Sequence, residues 1–170
     1  GVLPGYVLWR PRWVLWLVVA GSFVHGALEV AGEYRWLWAV DAPLAAVRLG
    51  REHVPQMLAL VALTQPGPFG ERTVELGEYW GVLEDGRLVA MAGERMEAGT
   101  LKEISGVCTH PAFQGRGYAR RLMHRLIRLQ LARGQTPFLH VMHGNEAARA
   151  LYARMGFRHH SDIAVRLMPR

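Results

Sequence analysis

The chain has a single cysteine, Cys108, among its 170 residues. One thiol can build neither an internal disulfide framework nor a cysteine-rich zinc site, and it points to a reducing compartment, so a cytoplasmic location is expected. Lysine is as scarce: Lys102 stands alone among arginines. Acidic residues are the minority, 14 against 20 basic ones, for a formal net charge of +6. That balance admits nucleic acid, an anionic membrane surface or a polyanionic ligand as partner and selects none of them; genomic composition explains the arginine bias as well. Long hydrophobic runs are missing too. The longest uncharged apolar stretch, residues 13–28, contains His25 and two glycines, short of the ~20 residues a spanning helix needs. Arg10 and Arg12 precede it, yet no small-x-small cleavage site follows, so it does not read as a signal peptide. Internal repeats and low-complexity tracts are absent.

What is present suffices for a packed domain: 51% of the residues are apolar and 20% charged, which excludes disorder for most of the length. Five of the six tryptophans lie in residues 1–41. This region reads as an extension or the remnant of a larger N-terminal region, with strands at 13–20 and 34–40 and turn chemistry at Pro4, Gly5 and Pro11; it could also serve as a homodimer interface. Asp41-Ala42-Pro43 punctuates the chain, and residues 42–170 form the regular domain. There the pattern predicts a strand at 45–49, a helix at 51–63 with Val54, Met57, Leu58 and Val61 on one face, a helical turn at 71–76, and a hairpin of 79–83 with 87–96 around Glu84-Asp85-Gly86. A strand at 99–109, a long helix at 115–133, a strand at 138–142, a helix at 145–155 and final strands within 157–168 follow. The fold class is mixed α/β on a mostly antiparallel sheet flanked by helices.

The most informative stretch is Val107-Cys108-Thr109-His110-Pro111-Ala112-Phe113-Gln114-Gly115-Arg116-Gly117-Tyr118-Ala119. A strand passes through a proline turn into a glycine-containing loop that opens a long helix. The first turn of a helix carries N–H groups without intrahelical acceptors and partial positive charge, and glycines let backbone approach a bulky anion. A pyrophosphate suits this. A Walker loop is excluded, since no Gly-Lys-Ser/Thr follows, and the dinucleotide spacing Gly-x-Gly-x-x-Gly is absent.

Gln114-Gly115-Arg116-Gly117-Tyr118-Ala119 resembles the Gln/Arg-x-x-Gly-x-Gly/Ala signature of the GNAT superfamily of N-acetyltransferases, and Asn145-x-x-Ala148-x-x-Leu151-Tyr152-x-x-x-Gly156-Phe157 resembles a second motif downstream. The resemblance covers roughly residues 45–170. It implies a central V-shaped splay between two strands, here 99–109 and 138–142, that admits acetyl-coenzyme A. It implies further that the amides of Gln114, Gly115, Arg116, Gly117, Tyr118 and Ala119 hold the pyrophosphate. Val107 and Thr109 would offer backbone groups to the pantetheine arm, and Asn145 would sit beside it. Tyr152 would lie at the departing thiolate as its acid, with the Val107 or Cys108 N–H at the oxyanion.

Glu103 is the candidate base. Even spacing places Glu103, Ser105, Val107 and Thr109 on one face of a regular strand, although a bulge would change that phase; the plainer alternative pairs Glu103 with Lys102 at the strand's solvent end. Cys108 reads as a small hydrophobe rather than an acyl carrier. No metal is expected: His140 and His143, three apart on a strand, point to opposite faces. His110 ends its strand, and His159-His160 is surface. Arg116, Arg120 and Arg121 lie near the phosphates, Arg125 and Arg128 on a solvated face. Glu71, Glu75 and Glu78 would align on a continuing helix, as attraction for a cationic amine or simply as an acidic face. The expected function is acetyl transfer from acetyl-coenzyme A to a primary amine by direct attack, without a metal, a membrane span or nucleic acid. The alternatives are a non-catalytic acetyl-coenzyme A sensor and a basic nucleic-acid-binding module.

Overall fold

A computed structural model of the chain describes residues 4–8, by their backbone, and residues 44–162. The strands expected at 13–20 and 34–40, and everything after Asp162, lie outside the described residues. Seven strands form one sheet: β1 Pro4–Leu8, β2 Ala46–Leu49, β3 Tyr79–Glu84, β4 Arg87–Ala98, β5 Leu101–Thr109, β6 Thr136–Met142 and β7 Arg158–Asp162. Their spatial order is β2-β3-β4-β5-β6-β1-β7. The pairings are antiparallel except for β5 with β6. Among the described residues three α-helices, α1 Val54–Thr64, α2 Tyr118–Ala132 and α3 Glu146–Arg154, complete a mixed α/β fold. Pro4 and Gly5, read above as turn residues, open β1 instead; a proline is tolerated as the first residue of a strand.

Local chemistry fixes the connections. Asp85 (φ 51) and Gly86 (φ 76) are both left-handed, the two-residue turn whose twist matches a hairpin. Gln56 of α1 accepts from Leu88 N at 2.7 Å and donates to Gly86 O at 3.3 Å, which ties the hairpin to the helix. α2 begins at Tyr118 rather than at residue 115, because Gly115 (φ 77) and Gly117 (φ 73) are left-handed and cannot continue a helix. Its stripe of Leu122, Met123, Leu126 and Ile127 is fully buried, each side chain worth about 1.5–3 kcal/mol in apolar burial.

The sheet separates two cores. On one face α1 supplies Met57 and Leu60 to a cluster with Leu49, Tyr79, Leu88, Met91 and Cys108. On the other, α2 and α3 pack on Val82, Val89, Ala90, Ala92, Ile104, Leu139 and Val141, with Tyr152 among them. The parallel pairing of β5 and β6 runs from Leu101–Thr136 to Ile104–Leu139 and stops, although β5 continues to Thr109 and β6 to Met142. Ser105–Thr109 therefore carries a strand edge without a neighbour on the β6 side. This is the splay that the resemblance implies.

Candidate active site

Two bulges shape the strands around the splay. Between β4 and β5, Met91 pairs with Cys108 but Gly93 pairs with Ser105, so β5 holds one extra residue there, and Gly106 takes φ 62. The insertion reverses the alternation of side chains. Glu103, Ser105 and Cys108 face α1, whereas Val107 joins Ile104 in the α2 core. The even spacing that grouped Val107 and Thr109 with Glu103 is thus broken at Gly106. A second irregularity lies in β4, where Glu94 pairs with Ile104 but Glu97 pairs with Lys102. It turns the Met96 amide toward Glu103, onto whose Oε2 it donates at 3.2 Å.

Glu103 is 1% exposed and its carboxylate is crowded with donors. Arg95 grips it with two prongs, Nε to Oε2 at 3.0 Å and Nη2 to Oε1 at 2.7 Å, and His140 Nδ1 lies 2.6 Å from Oε1. Burial pushes the carboxyl pKa up, but the hydrogen bonds and charges of His140 and Arg95 outweigh it and hold the group below the ordinary carboxylate range. The alternative partner is otherwise engaged: Lys102 Nζ donates to Glu97 Oε2 at 3.0 Å. His140 is the first residue of β6 beyond the last parallel pair, two positions after Phe138, which pairs with Glu103. The Arg95–Glu103–His140 cluster therefore closes the apex of the splay on the α1 side.

Tyr79 lies across the same face. It pairs with Gly93, which in turn pairs with Ser105, and any Cβ on Gly93 would collide with its ring. Its Cε1 is 3.2 Å from where a Cβ on Gly106 would stand. Phe69, from the loop after α1, packs edge-on against the ring at 5.6 Å between centroids. Arg95 Nη1 lies 3.5 Å from Pro68 O of the same loop. Beyond the bulge, burial pushes the Cys108 thiol up to about 11, so it stays a thiol at neutral pH.

The α2 side is made of backbone. The Gln114 amide is taken by Pro111 O at 3.3 Å, which removes it from the expected donors. From Gly115 onward the cradle is open: nothing lies within 4 Å of a Cβ built on Gly115 or Gly117, and the first-turn amides of Tyr118 and Ala119 have no intrahelical acceptor. Arg116 lies 4.7 Å from the centre of the Phe113 ring. Arg121 covers Tyr118 and donates to Arg116 O at 3.2 Å, bracing the loop. Arg125 stacks on Trp80 at 3.8 Å. Asn145 caps α3, its Oδ1 accepting from Ala148 N at 3.1 Å. Tyr152 is 8% exposed and faces Phe157; burial first, then the field of Cys108, pushes its phenol up to about 12. The unpaired β5 edge, the open glycine loop and the helix start form one continuous run that suits an extended thioester ending in a pyrophosphate.

Other expected groups do not join. Glu71, Glu75 and Glu78 share no helix, because only Thr73–Leu76 forms a 3-10 turn and Gly77 is extended. Arg51 and Arg72 neutralise Glu75 at 3.0 Å each, and Glu78 accepts from the Trp80 indole at 3.3 Å with Arg133 3.6 Å away, so attraction of a cationic amine has no acidic row to rest on. His110 accepts from Ala112 N at 3.1 Å and ends the strand. His143 and His159 both meet Asp162 Oδ1, at 3.0 and 2.9 Å. Among the described residues no group of three or more His, Cys, Asp or Glu could hold a metal ion, and no helix is long and apolar enough to cross a membrane. Arg95, Tyr79, Phe69 and the part of His140 in the Glu103 pair went unread in the sequence; the signal available was Gly93 and Gly106, two glycines inside strands.

Residues 52–157 match the model of the Acetyltransferase (GNAT) family. The chain is 40% identical over 83 residues to the N-alpha-acetyltransferase RimI of Mycobacterium tuberculosis, a match covering 47% of this chain and 51% of that protein. It resembles the crystal structure of a GNAT-family acetyltransferase from Novosphingobium aromaticivorans at TM-score 0.73 and 36% identity, over 95% of this chain and 61% of that one. A Mycobacterium tuberculosis protein solved in complex with coenzyme A shares the fold at TM-score 0.56 and 21% identity, over 67% of this chain and 71% of that one. The chain thus spans about half the length of RimI and under two thirds of the Novosphingobium protein.

Proposed function

The chain belongs to the GNAT acetyltransferase family, and from that premise we propose that it transfers an acetyl group from acetyl-coenzyme A to a primary amine by direct attack. The observation that carries this reading is the splay: the parallel pairing that ends at Ile104–Leu139 beside the open glycine loop before α2. The likeness to an N-alpha-acetyltransferase supports an amine as acceptor.

The thioester supplies an activated acetyl carbon; the residues supply position and proton transfer. Amides of Gly115 to Ala119 hold the pyrophosphate, and the β5 edge from Ser105 to Thr109 holds the pantetheine arm, with the Val107 or Cys108 N–H at the oxyanion. Glu103 acts through His140. A carboxylate with four donors upon it is a poor proton acceptor, but it holds the Nδ1–H of an imidazole and so presents the other nitrogen as the base. Imidazole is the side chain best matched to proton transfer near neutral pH. Tyr152 faces the sulfur. With its phenol near 12 and an ordinary thiol near 8.5, full proton transfer to a thiolate is uphill, so Tyr152 stabilises it chiefly as a hydrogen-bond donor.

The test is a thermal melt of this chain with acetyl-coenzyme A, desulfo-coenzyme A and adenosine bisphosphate, followed by thiol release with a panel of amines. Saturation at about a hundred times the dissociation constant stabilises a fold by ~2.7 kcal/mol. A rise with the full cofactor exceeding that with the nucleotide, together with amine-dependent thiol release, is expected. A rise without release under any amine favours a sensor. No rise at millimolar cofactor overturns the reading.

A further inference from the structure

Tyr79 is fully buried, and its hydroxyl has no hydrogen-bond partner among the described residues. Leaving a buried hydroxyl unmet costs about 1–3 kcal/mol, and phenylalanine would fill the same place without that cost. The ring is nonetheless accommodated with care. Gly93 lies beneath it, and Gly106 borders its Cε1. It starts on β3 and reaches across β4 to the β5 bulge. A ring lying in that direction delivers its oxygen to the start of the splay. There it feels Arg95, Glu103 and Cys108, while burial, the largest influence, raises its pKa far above the ordinary phenol value and keeps the O–H intact.

The two faces of the splay decide what this hydroxyl meets. The glycine loop, α2 and Tyr152 belong to the opposite face, so the cofactor is served from there. The α1 face, with Arg95, Glu103, His140 and Tyr79, is left for the acceptor. Resting on the acetyltransferase reading, we propose that the Tyr79 hydroxyl is the acceptor-positioning group, taking one N–H of the attacking amine while the other goes to His140. The lone pair of a neutral primary amine is then aimed at the acetyl carbon by two fixed partners. A secondary amine has only one N–H and cannot satisfy both. Phe69 packs edge-on against the Tyr79 ring and lies 3.6 Å from the Cβ position of Gly106, so the loop at residues 65–70 borders the place where that ring meets the β5 bulge. The acceptor class is accordingly an unhindered primary amine, selected over secondary amines by hydrogen-bond count.

Tyr79→Phe removes one oxygen and nothing else. Its melting temperature is expected to equal or exceed that of the unaltered chain, since the oxygen lost was unsatisfied. Two probes then decide. The first is glycinamide, a primary amine with two N–H groups, bound to the chain saturated with coenzyme A at a pH where the amine is neutral. The unaltered chain is expected to bind it more tightly than sarcosinamide, and Tyr79→Phe to lose about tenfold of that affinity while keeping that for coenzyme A. The second is turnover of glycinamide against sarcosinamide, whose ratio is expected to fall about tenfold in the variant. Equal affinity for glycinamide in both coenzyme A complexes overturns the assignment even if neither turns over an amine. A melting temperature lowered by several degrees does so too, because it reveals a structural partner for the oxygen. Failure of the acetyltransferase reading shows separately, as coenzyme A binding with no thiol release from the unaltered chain.

Discussion

The two faces of the splay are built from different materials. The α2 face offers backbone: a strand edge, a loop with glycines at φ 77 and 73, and the first turn of a helix. These features are contiguous in the chain, from Ser105 to Ala119. The α1 face is built from side chains that meet only after folding: Phe69 from a loop, Tyr79 from β3, Arg95 from β4, Glu103 from β5 and His140 from β6. A backbone cradle depends on a few glycines and is indifferent to most side chains, so it suits the invariant end of a reaction. A side-chain cluster can be altered one residue at a time, so it suits the end where substrates differ. The contrast also divides the energetics. The candidate groups of the first face are backbone amides, those of the second a buried ion cluster.

The sharpest way to break the comparison is Glu103→Ala, which should damage the fold and not merely the chemistry. It leaves Arg95 and His140 without their shared counter-charge beside a core strand. The expected loss is about 3 kcal/mol in urea unfolding at neutral pH, at the low end for broken buried pairs because Arg95 keeps some access to water. The carboxylate also sets an acid limit. Its folded-state pKa is depressed below the ordinary 4.5, so its stabilisation is complete above that value and disappears as pH falls through the depressed one. The stability gap between the unaltered chain and Glu103→Gln should therefore shrink on acidification below the ordinary carboxylate range. A gap that stays constant through that range would show that the ion cluster contributes nothing to folding.

The same division explains what could be read from the sequence. The order of strands and helices from residue 45 to 162 was legible because each element carries its own periodicity and punctuation: the Asp85-Gly86 turn, the apolar stripe of α2, the proline turn before the cradle. The glycine loop before α2 was legible because Gly115 and Gly117 stand together in the chain just ahead of the helix. The face beyond was not. Glu103 stood out as an acid on a strand, but its partners lie 8 and 37 residues away, and no local pattern announces a parallel register that sets Glu103 opposite Phe138. The phase of β5 was equally hidden. A single glycine in a strand is compatible with a bulge but does not demand one, and only the pairing of Gly93 with Ser105 reveals it. β1 was missed because Pro4 and Gly5 are turn formers by composition and strand residues by tertiary pairing.

A second, smaller effect sharpens the contrast from the cradle's side. Gly115→Ala meets no neighbouring atom, so its only structural cost is the left-handed backbone, about 1 kcal/mol. On the proposed reading the added methyl nevertheless stands where the pyrophosphate would approach. Acetyl-coenzyme A should lose at least tenfold in affinity by calorimetry, while the acceptor's Michaelis constant at saturating cofactor stays unchanged. If both constants move together, the two faces are coupled and the separation drawn above fails.

Phe69→Ala is the mirror experiment and the mildest. The ring is only partly buried, and its edge-to-face contact with Tyr79 is worth about 0.5–1.5 kcal/mol, so a melting-temperature drop of a few degrees is expected. Acetyl-coenzyme A affinity should be untouched, since no part of Phe69 reaches the α2 face. The acceptor side should respond in a particular direction: bulkier primary amines gain relative to small ones, because a ring bordering the Tyr79 end of the β5 bulge has been removed, while preference for primary over secondary amines persists, because that preference belongs to the hydroxyl. Steady-state rates with glycinamide, a branched primary amide and sarcosinamide separate the two. Loss of the primary-amine preference in Phe69→Ala would mean that shape, and not hydrogen-bond count, selects the acceptor.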